Sequence, residues 1–382
     1  MTMDLEWEQS TKVLSDCLKL EIIEEIQHHG AMSFSRYMDL ALYHPRWGYY
    51  RNGSIKFGRD GDFITAPEIT PLFARCLANQ CEEVLTHLTD PVIVEFGAGS
   101  GRLACDLLAA LADKDSVPGE YIIVELSAEL RERQRVLLSQ SLPDLIGRVR
   151  WVEQLPESLT GVVIANEVLD AMPVEKFVVD NVPKQMMVQA EAGELTWVEK
   201  EIVDAAILSE IERLGICSSS RYESELNRYI RGWVKALSRC LRQGVVLLID
   251  YGFPRHEYYH PDRSMGTLMC HYRQRAFSDP LLAPGAHDIT AHVDFTAVAE
   301  AASSAGLDVI GFTPQESFLL GCGLLEIMAT TKDLHSSYEQ AQQVKYLTLP
   351  SEMGELFKVM ALGQHYAHDL SAFDCNDQTH RL

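Results

Sequence analysis

Three glycines stand at alternate positions, Gly97, Gly99 and Gly101, two residues behind an acid, Glu95, in the stretch VEFGAGSGRLACDLLAAL. Glycine accepts left-handed backbone at little steric cost, so such a turn lets a ligand approach the main chain closely. In the dinucleotide fingerprint the third glycine comes three places after the second, and helix and strand pack there beneath a pyrophosphate. Arg102 occupies that place, so the fingerprint is not met. Alone, the glycines also fit an ordinary strand-to-helix turn. A second feature sharpens them: YIIVE ends on Glu125, an acid at the end of the next strand, where a carboxylate accepts ribose hydroxyls.

The glycine turn resembles motif I of the class I S-adenosylmethionine-dependent methyltransferases, with Glu95 as its acid. That resemblance implies S-adenosyl-L-methionine as the cofactor. Gly97, Ala98, Gly99 and Gly101 would back it, Glu95 would face its ammonium, and Glu125 with Leu126 would hold the ribose. Gln154 and Leu155, after the third strand, would face the adenine edge, although a plain surface role fits them as well.

Beyond GVVIA comes NEVLDAMPVEKF. Many amino-methylating DNA enzymes carry an Asn/Asp-Pro-Pro-aromatic motif at this place, and Asn166, Glu167, Val168 and Leu169 do not form one. The stretch offers carboxylates instead: Glu167, Asp170 and Glu175. A guanidinium is planar, permanently charged and rich in donors, so holding it in line with a reactive methyl calls for carboxylates that pair bidentately. Glu167 leads as that clamp, with Asn166 and Asp170 beside it and Glu175 second. Each acid also fits a solvated or helix-capping role. His292 fits a base or substrate contact, and equally the capping neighbourhood before Asp294.

HEYYH, His256 to His260, satisfies the HExxH zinc pattern. Zinc binding there needs both histidines on one face of a helix, one turn apart. Pro254 and Pro261 bracket the five residues and two tyrosines sit inside, which disfavours such a helix. No metal site is expected, and a zinc hydrolase remains a remote alternative.

These residues must be held by a scaffold. After a helix near 72–88, apolar runs alternate with helical patterns from Pro91: VIVEF, YIIVE, RVRWVEQL, GVVIAN and GVVLLID read as strands, with a helix after the glycine turn and another near 127–142 between them. Alternation of this kind predicts an α/β fold, a doubly wound, mostly parallel sheet with ligands at the carboxyl ends of its strands. The expected layout is N-terminal helices and a lid loop over 1–90, a methyltransferase domain over 91–175 and 243–365, an inserted substrate-side hairpin with helices over 176–242, and a tail over 366–382. The turn-rich stretch RWGYYRNGSIKFGRDGDFITAPEITP reads as a binding loop, 251–291 as a long loop, and 306–312 and 357–362 as further strands.

With 33 Lys and Arg against 55 Asp and Glu, the net charge of −22 repels phosphate backbones and disfavours a nucleic-acid partner. No stretch is apolar enough for a membrane span, and the acidic opening MTMDLEWEQS leads to an expected cytoplasmic location. The nine cysteines hold no CxxC pair and read as reduced thiols. Oligomeric state is not legible.

Taken in order, ALYHPRWGYY, GDFITAPEITPLFARCLA, VEFGAGSGRL, ANEVLDAMPVEKF, IDYGF, MGTLMCHYRQR and DITAHVDFTAV resemble the MidA family of methyltransferases over residues from about 30 to 365. The resemblance implies a seven-stranded class I fold and symmetric dimethylation of an arginine in a protein partner, a respiratory complex I subunit in the family. It also implies that 65–68, with Thr65 and Pro67, closes over the donor, and that DITAHVDF belongs to the site. His44 departs from the Asp or Asn expected in ALYHPRW. The alternative from another class is a non-catalytic assembly module that keeps the cofactor pocket.

Overall fold

The computed structural model describes residues 7–51, 65–216, 220–330 and 334–382. Most of the turn-rich segment expected to form a binding loop lies outside these residues.

The chain forms two compact units, each assembled from three stretches. The second unit, Ile64–Asp170, Ile230–Arg255 and Val293–Leu382, is built on the expected sheet. Its strands run in the order Asp308–Pro314, Phe357–Gln364, Leu241–Phe253, Leu159–Asn166, Val92–Phe96, Glu120–Val124, Val149–Val152. The last five are mutually parallel, and Phe357–Gln364 is antiparallel to both its neighbours. Short Val293–Asp294 adds an eighth strand against the end of Leu241–Phe253. Apolar runs such as VVIA and VVLLI bury both faces of the sheet, as a parallel sheet covered by helices requires. From Val92–Phe96 the chain builds outward to one side and returns on the other through Leu159–Asn166, so the strand order reverses between these two neighbours. Their carboxyl ends are the switch point where ligands bind in such sheets.

The first unit, Met1–Phe63, Ala171–Tyr229 and His256–His292, holds a five-stranded antiparallel sheet. Met32–Ser33, Val182–Glu191, Glu175–Asp180 and Tyr222–Leu226 lie side by side, and Glu194–Glu201 pairs with Val182–Glu191. Its core joins Leu18, Ile22 and Ile26 of the helix Gln9–His29 and Phe34, Tyr37 and Met38 of the helix Phe34–Tyr43 to Val174, Val188 and Ile289. His44 replaces an Asp or Asn without loss of the turn, because its Nδ1 accepts from the Trp47 amide at 3.3 Å as a short carboxylate would.

Several boundaries fall elsewhere than the sequence predicts. The helix Pro71–Leu85 belongs with the parallel sheet, not with an N-terminal segment. The expected helical stretch before Leu241 contains the strand Tyr222–Leu226, and the expected long loop 251–291 contains three short strands, Met269–Tyr272, Arg275–Phe277 and Asp288–Thr290, in one sheet. The tail is packed: Leu370, Ala372 and Phe373 are buried, and the Gln378 amide donates to the Phe312 carbonyl.

Candidate active site

All three turn glycines adopt left-handed backbone, with φ of 58° at Gly97, 52° at Gly99 and 87° at Gly101. The Gly97 amide donates to the Val124 carbonyl at 3.0 Å, which ties the turn to the neighbouring strand end. A Cβ at Gly101 would come within 3.1 Å of Gln134 Cγ, a tight contact added to a φ that favours glycine. The helix Arg102–Ala112 leaves the turn directly. Ala98 is buried beneath it.

Next to the turn, Ser100 donates its hydroxyl to the Glu68 carboxylate. Glu68 sits in the short helix Ala66–Ile69, which Thr65 precedes and in which Pro67 is buried. The segment 65–68 is therefore fastened to the glycine turn.

Glu125 is buried, and both its oxygens are already accepting, Oε1 from the Ser127 amide at 2.8 Å and Oε2 from Gln134 Nε2 at 3.3 Å. Burial raises its pKa above the usual carboxylate range. Leu126 beside it is 45% exposed, an apolar surface open to a ligand. Gln154 is exposed and Leu155 half-buried after Val149–Val152.

Glu95 differs from the expectation of an acid facing an ammonium. It is 2% exposed, its Oε2 accepts from the Tyr121 hydroxyl at 2.7 Å, and burial pushes its pKa up to about 7, with the charge of Glu125 adding to the rise. It is a buried acid beneath the turn.

At the other strand end, Asn166 closes Leu159–Asn166 and its side chain donates to Glu167 Oε1 at 3.3 Å. Glu167 has φ of 52°, an uncommon value for a residue with a side chain, and its amide donates to the Ile249 carbonyl at 2.9 Å. Strain of this kind persists only where its surroundings over-determine it. Those surroundings are Asp250, fully buried, whose Oδ2 accepts from the amides of Val168 at 3.2 Å, Leu169 at 2.9 Å and Asp170 at 3.3 Å, while Oδ1 accepts from the Tyr251 amide at 3.0 Å. Asp170 is buried too and accepts from the Tyr251 hydroxyl. Burial first, then the charges of Asp170 and Glu167, hold the Asp250 carboxyl well above its ordinary pKa.

The structure thus places Glu95 and the glycine turn on the strand Val92–Phe96, Glu125 just past its neighbour Glu120–Val124, and Asn166, Glu167 and Asp170 at the end of the neighbour on the other side, Leu159–Asn166. Two of the expected residues fall in the other unit. Glu175 lies there, where its oxygens accept from Ser35 Oγ at 2.9 Å and Gln185 Nε2 at 2.8 Å, a structural tie between helix and strands. His292 also belongs to that unit, where its amide donates to Thr267 Oγ1 at 3.1 Å. Gln134, Tyr121, Asp250 and Tyr251 were missed; only Asp250, an acid ending a buried apolar run, carries a readable signal.

HEYYH does not form a helical pair. The helix Arg255–Tyr258 ends before His260, both histidine side chains are more than half exposed, and Tyr258 and Tyr259 turn inward instead, Tyr259 donating to the Glu225 carbonyl at 3.0 Å. Among the described residues no cluster of three or more His, Cys, Asp or Glu is placed to hold a metal ion. No helix among them is long and apolar enough to cross a membrane.

Residues 76–313 match the sequence model of a family described as S-adenosyl-L-methionine-dependent methyltransferases, more than half of the chain. The chain belongs to that family. A crystal structure of a superfamily member from Burkholderia thailandensis, bound to S-adenosyl-homocysteine, is 40% identical and superposes with a TM-score of 0.96 over 100% of both chains. The methyltransferase fold, the donor and membership among enzymes of this chemistry follow for this chain. Among curated relatives, "Protein arginine methyltransferase NDUFAF7, mitochondrial" of Danio rerio is 26% identical over 92% of this chain and 88% of its own length. The Drosophila melanogaster homologue of that name is 27% identical over 90% of this chain and 84% of its own. These names overturn the cytoplasmic location expected from the acidic opening residues, since the matched relatives are mitochondrial by name.

Proposed function

We propose that this methyltransferase acts on an arginine of a protein substrate. The observation that carries the reading is Glu167, held in left-handed backbone beside buried Asp170 on a loop whose three amides converge on Asp250. A strained, acid-bearing loop at the switch point suits a planar cation. The names of the curated relatives support the acceptor class, and the net charge of −22 favours a basic segment.

The residues fit the donor. Left-handed glycines leave the main chain open, Glu125 would accept the ribose hydroxyls, and Leu126, Gln154 and Leu155 would border the adenine. Thr65 and Pro67 would lie over it, fastened through Glu68. S-adenosylmethionine supplies an electrophilic methyl on a sulfonium. Glu167 and Asp170 orient one guanidinium nitrogen toward that methyl and localise positive charge away from it; orientation is the larger part of catalysis in an in-line displacement. A nitrogen–carbon bond forms as the carbon–sulfur bond breaks, and Glu167 receives the proton that the nitrogen releases. Asn166 aligns Glu167. Symmetric dimethylation extends this reading on family resemblance alone.

Labelled donor is incubated with the full-length protein and a lysate from cells lacking it, and methylated arginines are mapped by mass spectrometry. Glu167→Gln is expected to bind S-adenosyl-homocysteine as the wild type does and to label roughly 10- to 100-fold more slowly, the loss of one charge-assisted pair. Equal rates would remove Glu167 from the mechanism. Tight donor binding with no labelled arginine would favour a binding module instead.

A further inference from the structure

Gln134 lies in the middle of the helix Ala128–Ser141 and is 0% exposed. Burying a primary amide is costly unless its hydrogen bonds are made. Here Nε2 donates to the Gly99 carbonyl at 2.9 Å and to Glu125 Oε2 at 3.3 Å, and Oε1 accepts from Trp151 Nε1 at 2.9 Å. The network fixes the amide's orientation. Reversed, the oxygen would face a carbonyl and a carboxylate, and the nitrogen would face the indole donor. The same side chain is what a Cβ at Gly101 would strike. One residue therefore touches the glycine turn at two points, the acid at the next strand end, and the strand that leads to Gln154.

A core filler would not need this chemistry. Met or Leu would occupy similar volume without three buried hydrogen bonds, and Glu would set a second carboxylate against Glu125. We propose that Gln134 is a positioning residue for the methyl donor, locking the glycine turn and the Glu125 carboxylate into one arrangement so that both engage the donor together. The inference rests on the reading that Glu125 holds the ribose.

The test is a double-mutant cycle on the full-length protein, with S-adenosyl-homocysteine affinity measured by calorimetry for the wild type, Gln134→Met, Glu125→Ala and the double variant. If Gln134 acts through Glu125, Gln134→Met raises Kd about tenfold in the wild-type background and less than about threefold when Glu125 is already absent. Equal fold-changes in both backgrounds, or no change in either, overturn the proposal and leave Gln134 a packing residue. An unaltered Kd for Glu125→Ala alone overturns the ribose reading instead. Should Gln134→Met fail to fold, Gln134→Glu takes its place. Its loss of affinity is expected to shrink as pH falls and the new carboxyl takes up a proton, and a loss independent of pH refutes the coupling.

Discussion

Replacing Asp250 with Asn tests whether the loop bearing Glu167 is held in place by a carboxylate. Oδ2 of Asp250 receives three amides and Oδ1 a fourth, all in a site with no solvent exposure. Asn keeps nearly the same shape but offers one oxygen. That oxygen turns to the three loop amides, and the new NH2 group then faces the Tyr251 amide, donor against donor. One buried donor left unsatisfied costs about 1–3 kcal/mol. The Glu167 backbone, at a φ of 52°, stores a further strain of about 1–3 kcal/mol that the weakened anchor no longer opposes. The loop can therefore relax by turning Glu167 out of left-handed backbone, and displacing a positioning group by about 1 Å costs roughly 100-fold in rate. For methyl transfer to an arginine-bearing acceptor at saturating donor, kcat is expected to fall roughly 10- to 100-fold, with Kd for S-adenosyl-homocysteine unchanged within about twofold because the glycine turn and Glu125 are untouched. Wild-type turnover would refute the argument, and so would a fall in kcat matched by an equal fall in donor affinity, which would mean general unfolding.

Gly101→Ala places a methyl 3.1 Å from Gln134 Cγ at a φ of 87°; calorimetry is expected to find donor affinity weakened by roughly 1–3 kcal/mol, and unchanged affinity would detach the turn from the donor. Glu95→Gln addresses pH. The folded carboxyl titrates at about 7 and the unfolded one at about 4.3, so between these values the native state keeps a proton that the unfolded chain has released. Stability accordingly falls as pH rises through that window and stays lower above it. Gln still accepts from Tyr121, so the variant is expected to be more stable at pH 8 by roughly 1–3 kcal/mol and to show a flatter melting profile from about pH 5 to 8; parallel profiles would contradict the burial argument. His256→Ala should change neither turnover nor metal content by mass spectrometry, and loss of stoichiometric zinc would revive the HExxH reading.

The parallel sheet was legible because its strands are apolar on both faces, and their runs end on acids or glycines where the chain emerges: VIVEF before the glycine turn, YIIVE on Glu125, GVVLLID on Asp250. What escaped is what depends on distant partners. Gln134 sits in a polar helix with nothing local to mark it, since its acceptors lie at Gly99 and Glu125 and its donor at Trp151. Tyr121 reads as strand filler until Glu95 is seen beneath its hydroxyl. YESEL, with two acids in five residues, reads as helix, yet it forms a strand in which Glu223 pairs with Lys176 of the neighbouring strand at 3.1 Å and buried Glu225 lies near the same lysine. The three strands within 251–291 are only three or four residues long, too short to show a period. The domain boundaries failed for a related reason: each unit draws on three separated stretches, and contiguous segments cannot represent them.

Glu95, Glu125, Glu167, Asp170 and Asp250 all gather in one unit, on two neighbouring strand ends and the strand beside each, and this accumulation has a cost. Burial pushes the pKa values of Glu95, Glu125 and Asp250 upward, with the charge of Glu125 adding to the rise at Glu95 and those of Asp170 and Glu167 adding to it at Asp250. A fold selected for stability alone would place amides or apolar groups there. On the proposed reading the cost has a purpose, because methyl transfer to arginine must bring two cations together, a sulfonium that also carries an ammonium and a guanidinium. Their repulsion in a desolvated crevice would oppose encounter unless carboxylates were already fixed around each. The arrangement separates the two tasks. On that reading Glu125, past the strand next to the glycine turn, would serve the donor, and Glu167 and Asp170, on the loop whose amides bond Asp250, would serve the acceptor. On this reading the acids that repel one another in the free protein would stabilise the state in which both cations are present, and the left-handed backbone at Glu167 would be part of the cost of holding its carboxylate in place.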